Sequence, residues 1–205
     1  MSAPGTPGIG VLLSGSGRTL LNLHERIESG DLPARIAFVV ASRECLGADR
    51  ARSLGYPTSV VPGDVDPSTL GAVARDHGAS IIALAGYLRL APIPEGYAGR
   101  VVNIHPALLP SFGGAGMYGM RVHTAVLEAG CKVSGCTAHL CDDRYDTGPI
   151  LAQRACAVLE GDTPESLAER VFALEREVFP EAIRAMAENR VEVSPDGRRA
   201  RIIPA

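Results

Sequence analysis

Asn103 and His105 stand two residues apart in the run Val101 to Pro110, which brings an amide and an imidazole to one place. Alternate side chains of a strand share a face, so these two lie side by side while Val102 and Ile104 point the other way. Pro106 ends the strand. In α/β sheets reactive groups collect just beyond the carboxyl ends of strands, which is where this pair falls. An amide can hold a carbonyl oxygen and an imidazole can move a proton, a combination suited to chemistry at an acyl carbon. Taken alone, Asn103 could equally cap a turn and His105 could be a hydrogen-bonded core residue.

Two further stretches carry candidate chemistry. Ser14-Gly15-Ser16-Gly17-Arg18-Thr19 joins the first strand-like run to the first helical one. Its backbone N–H groups and helix N-terminus offer a nest for an anion, with phosphate as the natural guest. A dinucleotide fingerprint would want a third glycine where Leu20 stands, and the Lys-Ser/Thr ending of a P-loop is absent. The loop Asp142 to Pro149 carries three carboxylates, of which one could reach His105. Asp146 precedes Thr147-Gly148-Pro149, a turn that would hold its side chain still. A carboxylate beside an imidazole raises its pKa, so the pairing predicts an imidazolium able to act as an acid.

The elements that must position these groups follow from length and pattern. The chain of 205 residues is 46% apolar and 21% charged, an ordinary balance for one α/β domain. A net charge of -3 gives no electrostatic reason to expect nucleic acid. The N-terminus has neither the basic nor the apolar region of a signal peptide, and no segment approaches a membrane span, so a cytoplasmic protein is expected. Five cysteines without a C-x-x-C pair predict free thiols and no metal.

Strands are expected at Ile9 to Leu13, Ile36 to Ala41, Thr58 to Val61, Ser80 to Leu84 and Val101 to His105, with helices between them. Ser68 is the expected cap of one of these helices. Lys132 to Cys141 and Ile150 to Val158 should pair as an antiparallel extension. A long helix begins with Thr163 as N-cap and Pro164 at its first position. Its buried stripe is expected at Leu167, Val171, Leu174, Val178, Ile183 and Met186, with a kink at Pro180. The tail, Val191 to Ile203, reads as a hairpin. The Gly-rich connection Pro110 to Gly119 could be a lid or a plain linker. The fold class is therefore a single-domain, Rossmann-like mixed sheet, mostly parallel in its first half, with helices on both faces.

Ser14 to Leu20, Leu84-Ala-Gly-Tyr-Leu-Arg89, Asn103-Ile-His-Pro-Ala-Leu-Leu-Pro110, Ser134 to His139 and Asp146-Thr-Gly-Pro149 together resemble the phosphoribosylglycinamide formyltransferase family, in the family's order and over nearly the whole chain. The resemblance implies one formyltransferase domain over 1–205, with a phosphate-binding half (8–105) and a folate and catalytic half (106–205). It implies transfer of a formyl group from 10-formyltetrahydrofolate to the amine of 5-phosphoribosylglycinamide, between small molecules and without metal, nucleic acid or membrane; a homodimer is one option. Asn103, His105 and Asp146 take the catalytic positions, with Asn103 on the formyl oxygen, His105 as a cation facing developing charge and Asp146 orienting it. Gly15, Ser16, Gly17, Arg18 and Thr19 match the substrate-phosphate site and Glu175 the acid that binds ribose hydroxyls. Leu88, Arg89, Leu90 and the loop around Tyr145 match the folate pocket.

Arg18 stands where the family usually has a smaller polar residue, and Phe172 where it often has a basic or amide group; Arg18 is expected to supply that charge. His123 and His139 match supporting positions, while His24 and His77 read as surface residues. The alternatives are a formyltetrahydrofolate hydrolase or a methionyl-tRNA formyltransferase-like enzyme and, from another class, a non-catalytic nucleotide-binding module.

Overall fold

In the computed structural model, which describes residues 5–90 and 93–204, the short apolar runs become five parallel strands: β1 (Gly8–Leu13), β2 (Arg35–Ala41), β3 (Thr58–Val60), β4 (Ala79–Leu84) and β5 (Val101–His105). Beyond β5, β6 (Val133–Leu140) and β7 (Ile150–Ala157) add antiparallel, giving the order β3-β2-β1-β4-β5-β6-β7. The helices are α1 (Arg18–Glu28), α2 (Leu46–Ser53), α3 (Pro67–Asp76), α4 (Met120–Glu128) and α5 (Pro164–Ala187). A peripheral hairpin, β8 (Val191–Val193) with β9 (Ala200–Ile202), closes the chain as expected.

Strand alternation sorts the core into two faces. Ile9, Val11 and Leu13 of β1 join the larger cluster with α1, α2, α4 and α5, while Leu12 faces the smaller one, where Leu70 and Ala74 of α3 pack. The mixed α/β sheet with helices on both faces is thus as the pattern predicts. α5 is the chief anchor. Its Leu167, Val171, Val178, Phe179 and Ile183 are fully buried, and each such side chain contributes roughly 1.5–3 kcal/mol by leaving water.

Several local expectations need correction. Asp66, not Ser68, caps α3: its carboxylate accepts from the Thr69 N–H and Pro67 occupies the first turn. α4 is a helix that no expectation covered. In α5, Phe179 and Ala182 complete the buried stripe, whereas Leu174 and Met186 are only partly buried. α5 continues as one helix across Pro180, the position where a kink is expected. Proline there leaves the Arg176 carbonyl without its i+4 N–H, and Asn22 Nδ2 of α1 donates to that carbonyl at 3.1 Å instead.

The chain leaves β1 toward β2 and β3, then returns to β4 on the other side of β1, so a crevice opens at the carboxyl ends of β1 and β4. Buried Ser14 ties its walls. The Ser14 N–H donates to the Gly86 carbonyl (3.0 Å), and its hydroxyl accepts from the Leu88 N–H (3.0 Å) and the Ser42 hydroxyl (2.6 Å).

Candidate active site

A cavity of about 350 Å³ extends from this crevice along the end of β5 to the Gly-rich connection and α5. Every site position singled out in the sequence lines it except Gly15, Ser16 and Gly17. Those three turn toward α2. The Gly15 carbonyl accepts from the Gly47 N–H (2.9 Å), Arg50 donates to the Ser16 carbonyl (2.7 Å), and a Cβ on Gly17 would come within 2.7 Å of the Gly47 Cα. They make a tight strand-to-helix turn, with Gly17 at φ +75°; Arg18 and Thr19 supply the wall.

The inner end of the cavity is built by strand register. Asn103 pairs across the sheet with His139 of β6, and His105 lies on the same face as Asn103. Asp146 enters from the β6–β7 loop with φ +58°, a conformation Asp tolerates better than most residues. Of the three loop carboxylates it alone arrives: Asp142 is held by the Thr147 hydroxyl, and Asp143 is exposed beside Arg144. Asp146 Oδ2 lies 3.5 Å from His105 Nδ1, and its Oδ1 lies 3.5 Å from His139 Nε2. Asn103 Nδ2 reaches His139 Nε2 at 3.1 Å and Asp146 Oδ1 at 3.4 Å.

These contacts set the protonation pattern. The Phe112 carbonyl can only accept, so His105 Nε2, 2.8 Å away, carries a hydrogen. His139 Nδ1 likewise donates to the Leu140 carbonyl (2.9 Å), and its Nε2 lies between Asn103 Nδ2 (3.1 Å) and Asp146 Oδ1 (3.5 Å). His105 is 3% exposed. Burial pushes its pKa below the ordinary histidine value, and Asp146 and the Phe112 carbonyl offset only part of that loss. The expected rise is therefore corrected: the His105 pKa is lowered, which favours a neutral imidazole whose bare Nδ1 faces a carboxylate. Burial alone would raise Asp146, but its contacts with His139 and the Gly114 N–H (2.8 Å) hold it below the usual carboxylate value. Neutral His105 beside ionised Asp146 is a pair ready to take up one proton.

The Gly-rich connection is pinned here by its Phe112 carbonyl and Gly114 N–H. Gly113 packs closely here: a Cβ on it would press on the end of the Leu109 side chain and on Asp146. His123 also lines the cavity, with its Nδ1 buried and unpartnered among the described residues. His77 is exposed as expected, but His24 is half-buried and bonded to the Tyr56 hydroxyl at 2.8 Å. Burial pushes the Cys141 thiol far above its ordinary range, so it enters the wall as a neutral group.

The outer end is set by α1 and α5. Gly17 offers no side chain to cap α1, so the first-turn N–H groups stay available. Arg18 lies over the Phe172 ring at 3.9 Å and pairs with Glu169, a partner the sequence did not suggest. Glu175 lies on the inner side of the same helix, half-buried and with no hydrogen bond among the described residues. Burial raises its pKa to about 8, against the opposing charge of Arg18. Between the two ends, Leu88, Leu90, Tyr118, Met120 and Tyr145 all line the cavity while remaining exposed. Such a cluster of exposed apolar groups marks a binding surface for a flat or apolar ligand. No group of three or more His, Cys, Asp or Glu side chains is placed to hold a metal among the described residues.

The Formyl transferase family matches residues 8–183. The chain is 41% identical to the chloroplastic phosphoribosylglycinamide formyltransferase of Arabidopsis thaliana over 92% of its own length and 68% of that protein. The crystal structure of glycinamide ribonucleotide transformylase 1 from Symbiobacterium toebii superposes with a TM-score of 0.88 at 37% identity, covering 100% of this chain and 98% of that one. A formyltetrahydrofolate deformylase from Pseudomonas syringae pv. tomato is more distant, with a TM-score of 0.83 at 26% identity over 98% of this chain and 67% of its own. The chain therefore belongs to the formyl transferase family and, within it, groups with the phosphoribosylglycinamide formyltransferases.

Proposed function

We propose that the protein transfers a formyl group from 10-formyltetrahydrofolate to the primary amine of 5-phosphoribosylglycinamide, a step of purine biosynthesis. The observation that carries this reading is the meeting of Asn103, His105 and Asp146 at one end of a cavity whose other end holds Arg18, Thr19 and Glu175. The span between them is lined by Leu88, Leu90 and Tyr145, suited to the pterin and benzoyl rings of the folate, with Arg89 at its edge.

In this reading the two substrates are held in one cleft, which supplies much of the rate by positioning. The 3.4 Å bond from Asn103 to Asp146 is long, so that N–H is free to turn to the formyl oxygen. As the amine attacks the formyl carbon it becomes cationic and sheds a proton. The His105–Asp146 pair takes that proton on Nδ1 and returns it to the folate nitrogen as the carbon–nitrogen bond breaks. His139 holds Asn103 and Asp146 in place. Phosphate binds at the α1 N-terminus with Arg18, and Glu175 meets the ribose hydroxyls. The half from 8 to 105 then contributes the phosphate turn and one folate wall, and the half from 106 to 205 the remainder. A cytoplasmic location belongs to this proposal and is supported by five cysteines that are all free thiols.

The deformylase likeness makes hydrolysis the reading to test against. Protein mixed with 10-formyltetrahydrofolate should release tetrahydrofolate only when 5-phosphoribosylglycinamide is added. Equal release in buffer alone would make the protein a hydrolase, and no release in either case would leave it a binding module.

A further inference from the structure

Arg18 begins α1 yet its side chain reaches across the cleft to α5. Nη1 and Nη2 donate to Glu169 Oε1 and Oε2, each at 2.6 Å, while the guanidinium face lies on the Phe172 ring. The arrangement has three parts that matter. Arg18 belongs to the cavity wall and Glu169 does not, so the carboxylate reaches the guanidinium from the rim. Glu169 occupies a two-nitrogen fork that a phosphate can also take, since carboxylate and phosphate present the same two-oxygen geometry to arginine. Phe172 carries no charge, so it can support the guanidinium plane whichever anion is bound. The side chains of Arg18 and Glu169 are 45% and 62% exposed, and an ion pair so open to water is weak enough to exchange.

We propose that Glu169 is an internal competitor for the substrate phosphate: it holds the Arg18 guanidinium and must be displaced when the phosphate arrives. Resting on the phosphate subsite described above, this makes Glu169 a determinant of affinity for phosphate-bearing ligands, without contact with the reacting atoms. Its negative charge lowers affinity for any anion at that end, and its removal frees the guanidinium.

Glu169→Gln tests the proposal. KM for 5-phosphoribosylglycinamide should fall about 2- to 5-fold, the reach of an exposed pair, and the inhibition constant of inorganic phosphate should fall in parallel. Neither should change when Glu169→Gln is placed in an Arg18→Ala background. An unchanged or higher KM in Glu169→Gln would overturn the proposal and make Glu169 a support for Arg18. The subsite itself is judged separately: if Arg18→Ala leaves both KM and the phosphate inhibition constant unaltered, Arg18 does not bind phosphate and the assignment beneath the proposal fails.

Discussion

The two ends of the cleft solve opposite electrostatic problems. At the inner end, His105, His139 and Asp146 have side chains 4%, 2% and 10% exposed, and each is tied to a backbone group. At His105 and Asp146 charge is set by burial against a few contacts, so small changes in contact move protons. At the outer end, Arg18 and Glu169 stand largely in water and meet across 151 residues of sequence. The charge of that pair is permanent and screened, so it tunes affinity, while half-buried Glu175 nearby has its pKa raised to about 8. Within a single cavity burial thus separates the groups whose protons shift, His105 and Glu175 among them, from the exposed ion pair.

Substitutions should split along the same line. The largest effect is expected for His105→Ala, which should lower kcat by about 10²- to 10⁴-fold, the usual reach of a positioned proton-transfer group. A turnover within a few-fold of the parent would remove His105 from the chemistry. Next comes Arg18→Ala, which deletes charge-assisted hydrogen bonds at an exposed site. It should raise KM for the phosphate-bearing substrate by about 10-fold while sparing KM for the folate; equal effects on both would erase the distinction between the ends. Added salt should likewise raise KM for the anionic substrate more than it changes kcat.

A smaller, graded effect is expected with pH. His105 is depressed by burial below the unfolded value of about 6.5. Below pH 6.5 the unfolded chain therefore binds a proton that the native imidazole does not, so stability present above that pH is lost as pH falls toward the depressed pKa. The activity plateau should accordingly extend below pH 6.5 before its acid limb begins. Comparing urea unfolding at pH 7.5 and 5.5 should show less acid destabilisation in His105→Ala than in the parent. An acid limb centred above 6.5 would mean that the inner end is wetter than its burial implies.

The contrast between the ends also governs what could be read in advance. Asn103 and His105 were legible because strand periodicity fixes their shared face, and Asp146 because Thr147-Gly148-Pro149 marks a rigid turn. The protonation state of His105 was not, since it depends on burial by Phe112 and its neighbours. Glu169 was invisible for a different reason: an exposed glutamate on a helix looks the same whether or not an arginine from a distant element comes to meet it. α4 escaped notice because Gly119 gives it no side-chain cap and its first turn has no acidic residue. The parallel sheet, by contrast, is written in the order of its apolar runs, and only details of capping departed from it.

Pro180 has a consequence for engineering. Because it lacks an amide hydrogen, one carbonyl of α5 is left to Asn22, a bond that ties the helix bearing Glu175 to the helix bearing Arg18. Pro180→Ala would give the carbonyl back to its own helix and should raise the unfolding temperature. The same exchange removes a tie between the two helices, so in the sturdier variant KM for the phosphate-bearing substrate should rise. A missing amide hydrogen inside one helix thus becomes a link to its neighbour.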